Sequence, residues 1–185
     1  MLTELRKCLK AEKRDNHIFD IVLYGSAAKG KIDPQDIDIL VIFREGTLKE
    51  RLAKLQDIKT KIKLEKKTDL KAILWEELFG DEFFARAGIF LEGISVFDGR
   101  TIAEKTGFSA ATIFTYSLKE KSHTEKVKFN YVLSGRNTAG IVKKLQGKHL
   151  APGVILIPIK HSPEFEDVLR MHKINYQAKN ILVQQ

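Results

Sequence analysis

Asp36 and Asp38 stand one residue apart at the start of an apolar run, Ile37 to Phe43. Side chains alternate along a strand, so the two carboxylates would share one face about 7 Å apart, a spacing at which both can grip the same divalent metals. Carboxylates that close repel each other and shift toward protonation unless a cation sits between them. Mg²⁺ suits the pair, because it takes one or two protein carboxylates and fills its other positions with water and phosphate oxygens. Upstream, Gly25-Ser26 supplies a phosphate end: a glycine lets backbone N–H groups approach a triphosphate, and the serine hydroxyl adds a donor. Lys29 and Lys31 in the same loop would neutralise further phosphate charge.

Two elements must hold these groups. Ile21 to Tyr24 is short and rich in β-branched and aromatic residues, the pattern of a buried strand that stops at Gly25. After the loop and the turn Asp33-Pro34, Ile37 to Phe43 is a second strand. Gly-Ser or Asp-x-Asp alone is only a turn or a solvated strand end; their order and separation between two buried strands make the signal.

The stretch LYGSAAKGKIDPQDIDILV resembles the signature of the polymerase-beta-like nucleotidyltransferase superfamily, and within it the small stand-alone domains of archaea and bacteria. Gly25, Ser26, Gly30, Asp36 and Asp38 fall on the pattern, while Lys29 stands where an arginine is more usual, which keeps charge but loses bidentate phosphate geometry. The resemblance covers roughly the first hundred residues, with LEGISVFDG resembling the strand that closes such domains. It implies binding of a nucleoside triphosphate at Gly25, Ser26, Lys29 and Gly30, and two Mg²⁺ ions on the carboxylates. It also implies transfer of NMP to a hydroxyl with release of pyrophosphate. These enzymes carry a third carboxylate on the strand after the helix that follows; Asp69 is the acid in that position here, and would complete the metal site and accept the proton of the attacking hydroxyl. Asp36, Asp38 and Asp69 are thus the expected catalytic and metal-binding residues. The other reading is a non-catalytic nucleotide- or RNA-binding regulator on the same fold, against which the intact carboxylate set argues.

Composition sets the frame. The hydrophobic fraction of 43% and charged fraction of 30% are those of a globular protein, and no apolar run reaches membrane-spanning length. The N-terminus has no apolar signal core and the single Cys8 leaves no internal disulfide, so a cytoplasmic protein without a membrane partner is expected. Charge is unevenly spread: residues 1–108 carry 20 Lys+Arg against 19 Asp+Glu, whereas the rest of the chain holds 12 against 5 and so most of the net +8. Such asymmetry points to an anionic partner for the second half.

In chain order, the Leu2, Leu5 and Leu9 spacing predicts an amphipathic helix to about residue 14. Thr47 with Glu50 is a capping box that opens a second helix to about Lys61. Leu70 to Leu74 is a third strand beside the second. Trp75 to Gly93 reads as a helix with Leu78, Phe79, Phe83, Phe84 and Phe90 on one apolar face; ISVFD reads as a strand, and Thr101 caps a short helix. The expected fold is α+β: a nucleotidyltransferase domain over 1–106, a mixed sheet flanked by helices, and a smaller α+β domain over 107–185.

In that second part ATIFTYSL and KVKFNYVL read as two strands joined by KEKSHTE, followed by a helix near 139–146, a strand from Val154, a helix from Ser162 and a last strand, the order β-β-α-β-α-β. On the strand reading Lys126 and Lys128 project from one face, and with Arg136, Lys143 and Lys144 they form the candidate nucleic-acid-binding set. Tyr116 and Tyr131 are core residues or base-stacking platforms. The acceptor of the transferred nucleotide is left open between RNA, a protein side chain and a small molecule.

Overall fold

The computed structural model describes residues 1–28, 34–64, 66–80 and 83–184. The chain divides into two compact units, Met1–Thr106 and Gly107–Gln185. No helix among the described residues is long and apolar enough to cross a membrane.

The first unit is built on a mixed four-stranded sheet in the order β3-β2-β1-β4, from β1 (Ile18–Tyr24), β2 (Asp36–Phe43), β3 (Lys67–Leu74) and β4 (Ile94–Ser95). β1 pairs antiparallel with β2 and β4, whereas β2 and β3 run parallel. Parallel neighbours need a crossover; here it is α3 (Leu48–Lys61), whose start is fixed by Thr47 accepting from the Glu50 N–H at 3.3 Å while Glu50 accepts from the Thr47 N–H at 2.8 Å. Both faces of the sheet are covered, which is why β1 and β2 read as continuous apolar runs. Leu5 and Leu9 from α1 (Leu2–Cys8) and its following turn, with Ile58 of α3, bury Ile21, Leu23, Ile39 and Val41 on one face. On the other, Val22, Leu40, Ile42 and Ile73 pack with Leu78, with Ile89 of α4 (Arg86–Glu92) and with Ile102 of α5 (Ile102–Lys105). Each such fully buried aliphatic side chain stabilises by about 1.5–3 kcal/mol.

Three expectations for this unit need correcting. The first helix ends at Cys8 and gives way to a 3-10 turn at Glu12–Arg14, because Glu12 is drawn inward to meet Lys54 at 2.6 Å and Lys61 at 2.7 Å. Trp75 to Gly93 is no single helix but a 3-10 turn at Glu76–Phe79 and then α4; the aromatic residues share no helix axis, yet Trp75, Phe79 and Phe90 meet ring to ring at 5.1 and 5.6 Å, while Phe84 is fully exposed. The ISVFD strand is only the two residues of β4.

The second unit runs β5 (Phe108–Ser117), α6 (His123–Ser134), α7 (Ile141–Lys144), β6 (Lys148–Ala151), β7 (Val154–Pro158), α8 (Ser162–Met171) and β8 (Asn175–Gln184). Its sheet is wholly antiparallel in the order β6-β7-β5-β8, which with α6 and α7 taken as one connection is the βαββαβ, ferredoxin-like arrangement. KVKFNYVL is therefore a helix and not a strand. Ser122 and Glu125 form a capping box, and Phe129 and Leu133, one turn apart, enter the core with Phe114, Ile155, Ile157, Phe165 and Leu169. The apparent alternation of Val127, Phe129 and Tyr131 is incidental. The strand β6 was absent from the expected order.

Candidate active site

The loop between β1 and β2 opens with Gly25, whose φ of +70° lies in the left-handed region, and turns at once into the short helix α2 (Gly25–Ala28). A Cβ built on Gly25 would fall 2.1 Å from Oδ2 of Asp38, so the carboxylate lies against bare backbone, and only glycine permits both the turn and this approach. Ser26 follows in α2, half-buried. Lys29 and Gly30, the other two expected nucleotide-binding residues, lie outside the described residues, as does Lys31. At the far end of the loop, Lys66 Nζ donates to the Pro34 carbonyl at 2.9 Å and ties the start of β3 to the start of β2.

The parallel register sets Asp38 directly beside Asp69, and Asp36 beside Lys67. Asp36, Asp38 and Asp69 thus share one end of one sheet face, on adjacent strands. Burial pushes the Asp38 carboxyl up from its ordinary value, and the charges of Asp36 and Asp69 push it further; Lys71 works against them. Lys71, two residues along from Asp69 on the same face, approaches it to 3.7 Å.

Tyr24 is opposite Asp38 across the antiparallel β1–β2 pair. Its hydroxyl is buried without a hydrogen-bond partner, and burial, reinforced by Asp38 and Asp69, pushes the phenol up to about 12. It stays a protonated donor at the edge of a negative site. Sequence reasoning absorbed Tyr24 into the apolar run of β1 and did not single out Lys71; the cross-strand register that makes both neighbours of the carboxylates is non-local.

Among the described residues no three His, Cys, Asp or Glu side chains converge closely enough to hold a metal ion. The donors nevertheless fit Mg²⁺ in kind and number: hard carboxylate oxygens on adjacent strands, one of them raised by burial and by its negative neighbours, and an ion that asks the protein for only one or two. Asp36 and Asp38, with Asp69, are the residues that would hold it.

A further carboxylate, Asp20 of β1, belongs to the scaffold. It is fully buried, accepts from the Ser95 hydroxyl and the Ile21 N–H at 2.8 Å each, and is paired with the Lys105 ammonium of α5.

A mixed sheet thus presents carboxylates beside a glycine-opened loop at one end. Residues 2–92 match the nucleotidyltransferase domain family, so the first unit carries a nucleotidyltransferase domain, consistent with the polymerase-beta-like superfamily. No curated protein gives a significant match to the chain.

The candidate nucleic-acid set lies wholly in the second unit. In a helix, positions two apart diverge by about 200° around the axis, so Lys126 and Lys128 no longer share a face. Lys126 instead aligns with Asn130 and Ser134 at four-residue spacing, and Lys128 with Tyr131 at three. The Arg136 guanidinium lies over the exposed Tyr131 ring, 5.3 Å from its centroid, while Lys143 and Lys144 are exposed on α7. Tyr116 is half-buried against Phe129, 5.7 Å centroid to centroid, a core role.

Proposed function

We propose that the first unit transfers a nucleoside monophosphate from an NTP to a hydroxyl acceptor on RNA or protein, in a reaction dependent on two Mg²⁺ ions held by Asp36, Asp38 and Asp69. The observation that carries this reading is the register of Asp38 beside Asp69 with Gly25 pressed against Asp38, since a repulsive carboxylate pair has no structural use. The oxygen of the attacking hydroxyl bonds to the α-phosphorus, the bond from that phosphorus to the bridging oxygen breaks, and pyrophosphate leaves with the electron pair. Asp69 takes the hydroxyl proton. Ser26 and the backbone at Gly25 position the triphosphate, with Lys29 and Gly30 on the same loop. Tyr24, held protonated, offers a donor that its fold leaves unpartnered. Mg²⁺, when bound, supplies neutralisation of the charge that develops on the attacking and leaving oxygens.

The test is incubation of the protein with Mg²⁺, α-labelled NTPs and cell lysate fractionated into RNA and protein. Label in either fraction is expected, and it should vanish with Asp36→Asn/Asp38→Asn, which should also abolish metal-dependent NTP binding in calorimetry while leaving the fold intact. Metal-dependent NTP binding with no label transferred would favour the non-catalytic regulator. Unchanged binding in the double variant would overturn the site itself.

A further inference from the structure

The second unit carries an unusual charge pattern. From Lys126 to Pro163 the chain contains seven Lys+Arg and no Asp or Glu. Among the described residues none of the seven forms an ion pair; Glu125 serves Lys121, and Glu166 and Asp167 serve Arg170. Cations left without counterions along a helix-loop-helix exceed what one small anion needs and fit a polymer of phosphates.

A cavity of about 480 Å³ opens at the flank of α6, between that helix, the end of β5 and the β6–β7 hairpin. Asn130, Ser134 and His149 supply its polar lining and Leu118 and Leu133 an apolar wall, and at Gly153 the hairpin comes so close that a Cβ would meet the Tyr116 carbonyl oxygen at 2.7 Å. Among the described residues the side chains of Asn130, Ser134 and His149 have no hydrogen-bond partner within the chain, so an amide, a hydroxyl and an imidazole stand uncommitted. Around the exposed half of α6, at about 100° per residue, Asn130 and Ser134 are followed by Tyr131 under Arg136, and then by Lys128. Neutral groups suited to a base edge thus pass directly into a stacking platform and a cationic flank.

The other face of the sheet offers nothing comparable. β5 presents Ala111, Ile113 and Thr115 there, and β7 presents Val154, Leu156 and Pro158, with no aromatic ring on which bases could stack as they do on four-stranded RNA-binding sheets.

We infer that the second unit binds single-stranded RNA on its helical side: one unstacked base occupies the α6–hairpin cavity against Asn130, Ser134 and His149, its neighbour stacks at Tyr131–Arg136, and the phosphates run over Lys126, Lys128, Lys143 and Lys144. The inference stands apart from nucleotide transfer and holds whether or not the first unit is catalytic.

The full-length protein is titrated, without NTP or Mg²⁺, against a fluorescein-labelled twelve-nucleotide RNA and against the same sequence as a duplex, with anisotropy as the readout. The single strand should bind more tightly than the duplex. With about four phosphate contacts its affinity should fall about fiftyfold between 50 and 200 mM salt. Lys128→Glu/Arg136→Glu should weaken binding at least tenfold; Lys128→Gln/Arg136→Gln, a milder pair, should flatten the salt dependence with an unchanged melting temperature. Asn130→Ala/His149→Ala should erase the preference for the single strand while keeping electrostatic affinity. Asp38→Asn should bind RNA as the parent does, which separates this site from the carboxylates. No binding at 50 mM salt, a duplex bound as tightly as the single strand, or parental affinity in both charge variants would each overturn the proposal.

Discussion

Charge is spent differently in the two units. In the first, ions are committed to one another: Glu12 is buried between Lys54 and Lys61, Asp15 receives Lys54 at 2.8 Å, Arg51 meets Glu77 at 3.1 Å, and Asp20 is locked to Lys105. In the second, the run from Lys126 to Lys160 meets no acid at all among the described residues. Lysine and arginine counts alone would suggest two similarly basic surfaces. Pairing shows that Arg51, Lys54, Lys61 and Lys105 of the first unit belong to the scaffold, whereas the seven cations from Lys126 to Lys160 of the second stay unpaired among the described residues.

The comparison breaks most easily at Lys105. Lys105→Met leaves Asp20 fully buried with only the Ser95 and Ile21 donors, and removing one partner of a buried pair costs about 3–5 kcal/mol. Trp75 is the only tryptophan in the chain and lies in the first unit, so its fluorescence reads that unit alone; a large drop in its denaturation midpoint is the expected result, and an unchanged midpoint would make the pair decorative. A comparable effect, on rate and with no loss of stability, is expected at the carboxylates. Asp69→Asn should lower nucleotide transfer about 10²–10³-fold with little change in NTP affinity, because the task proposed for it lies on the acceptor side of the site. Single-turnover kinetics beside NTP titration checks the split.

Acid should act on the first unit in the same sense but more gently. The hydrogen bond from Lys54 holds the Asp15 carboxyl below its ordinary value, against a smaller opposing effect of burial. A depressed folded value means that the contribution to stability is complete above the unfolded carboxylate range near pH 4 and is lost as pH falls through the lower folded value. The Trp75 midpoint should therefore decline below about pH 4, and Lys54→Met should remove that part of the decline. The smallest effect belongs to the unpaired lysines. Lys143→Gln/Lys144→Gln should change the global melting transition by less than about 0.5 kcal/mol, because no intramolecular bond is lost; a larger loss would show that the second unit also uses its cations as scaffold.

What could be read from the chain alone follows the range of each interaction. The capping box at Thr47–Glu50 is local and is present as expected, and Thr101, expected to cap a short helix, does so through a box with Glu104. Ser122–Glu125 is the same signal, overlooked because Val127, Phe129 and Tyr131 also alternate as a strand would; the box is what should have decided it. At the site, Asp36 and Asp38 announce themselves by spacing, and Asp69 by family resemblance. Tyr24 and Lys71 become neighbours of Asp38 only through strand pairing, and Asp20 meets its partners Ser95 and Lys105 only from far along the chain.

The parallel register of β2 and β3 bears on how this molecule assembles. Asp38 and Asp69 can meet only after α3 has been made and crossed back, because parallel strands cannot close through a tight turn. Strand docking of this kind is a non-local, slow step. It must also bring two like charges together in register, with Asp36 close by. The carboxylates therefore oppose the very closure that creates their site, and Asp69→Asn should fold faster and more stably than the parent. A divalent cation at this end of the sheet would serve the growing chain before it ever serves a substrate.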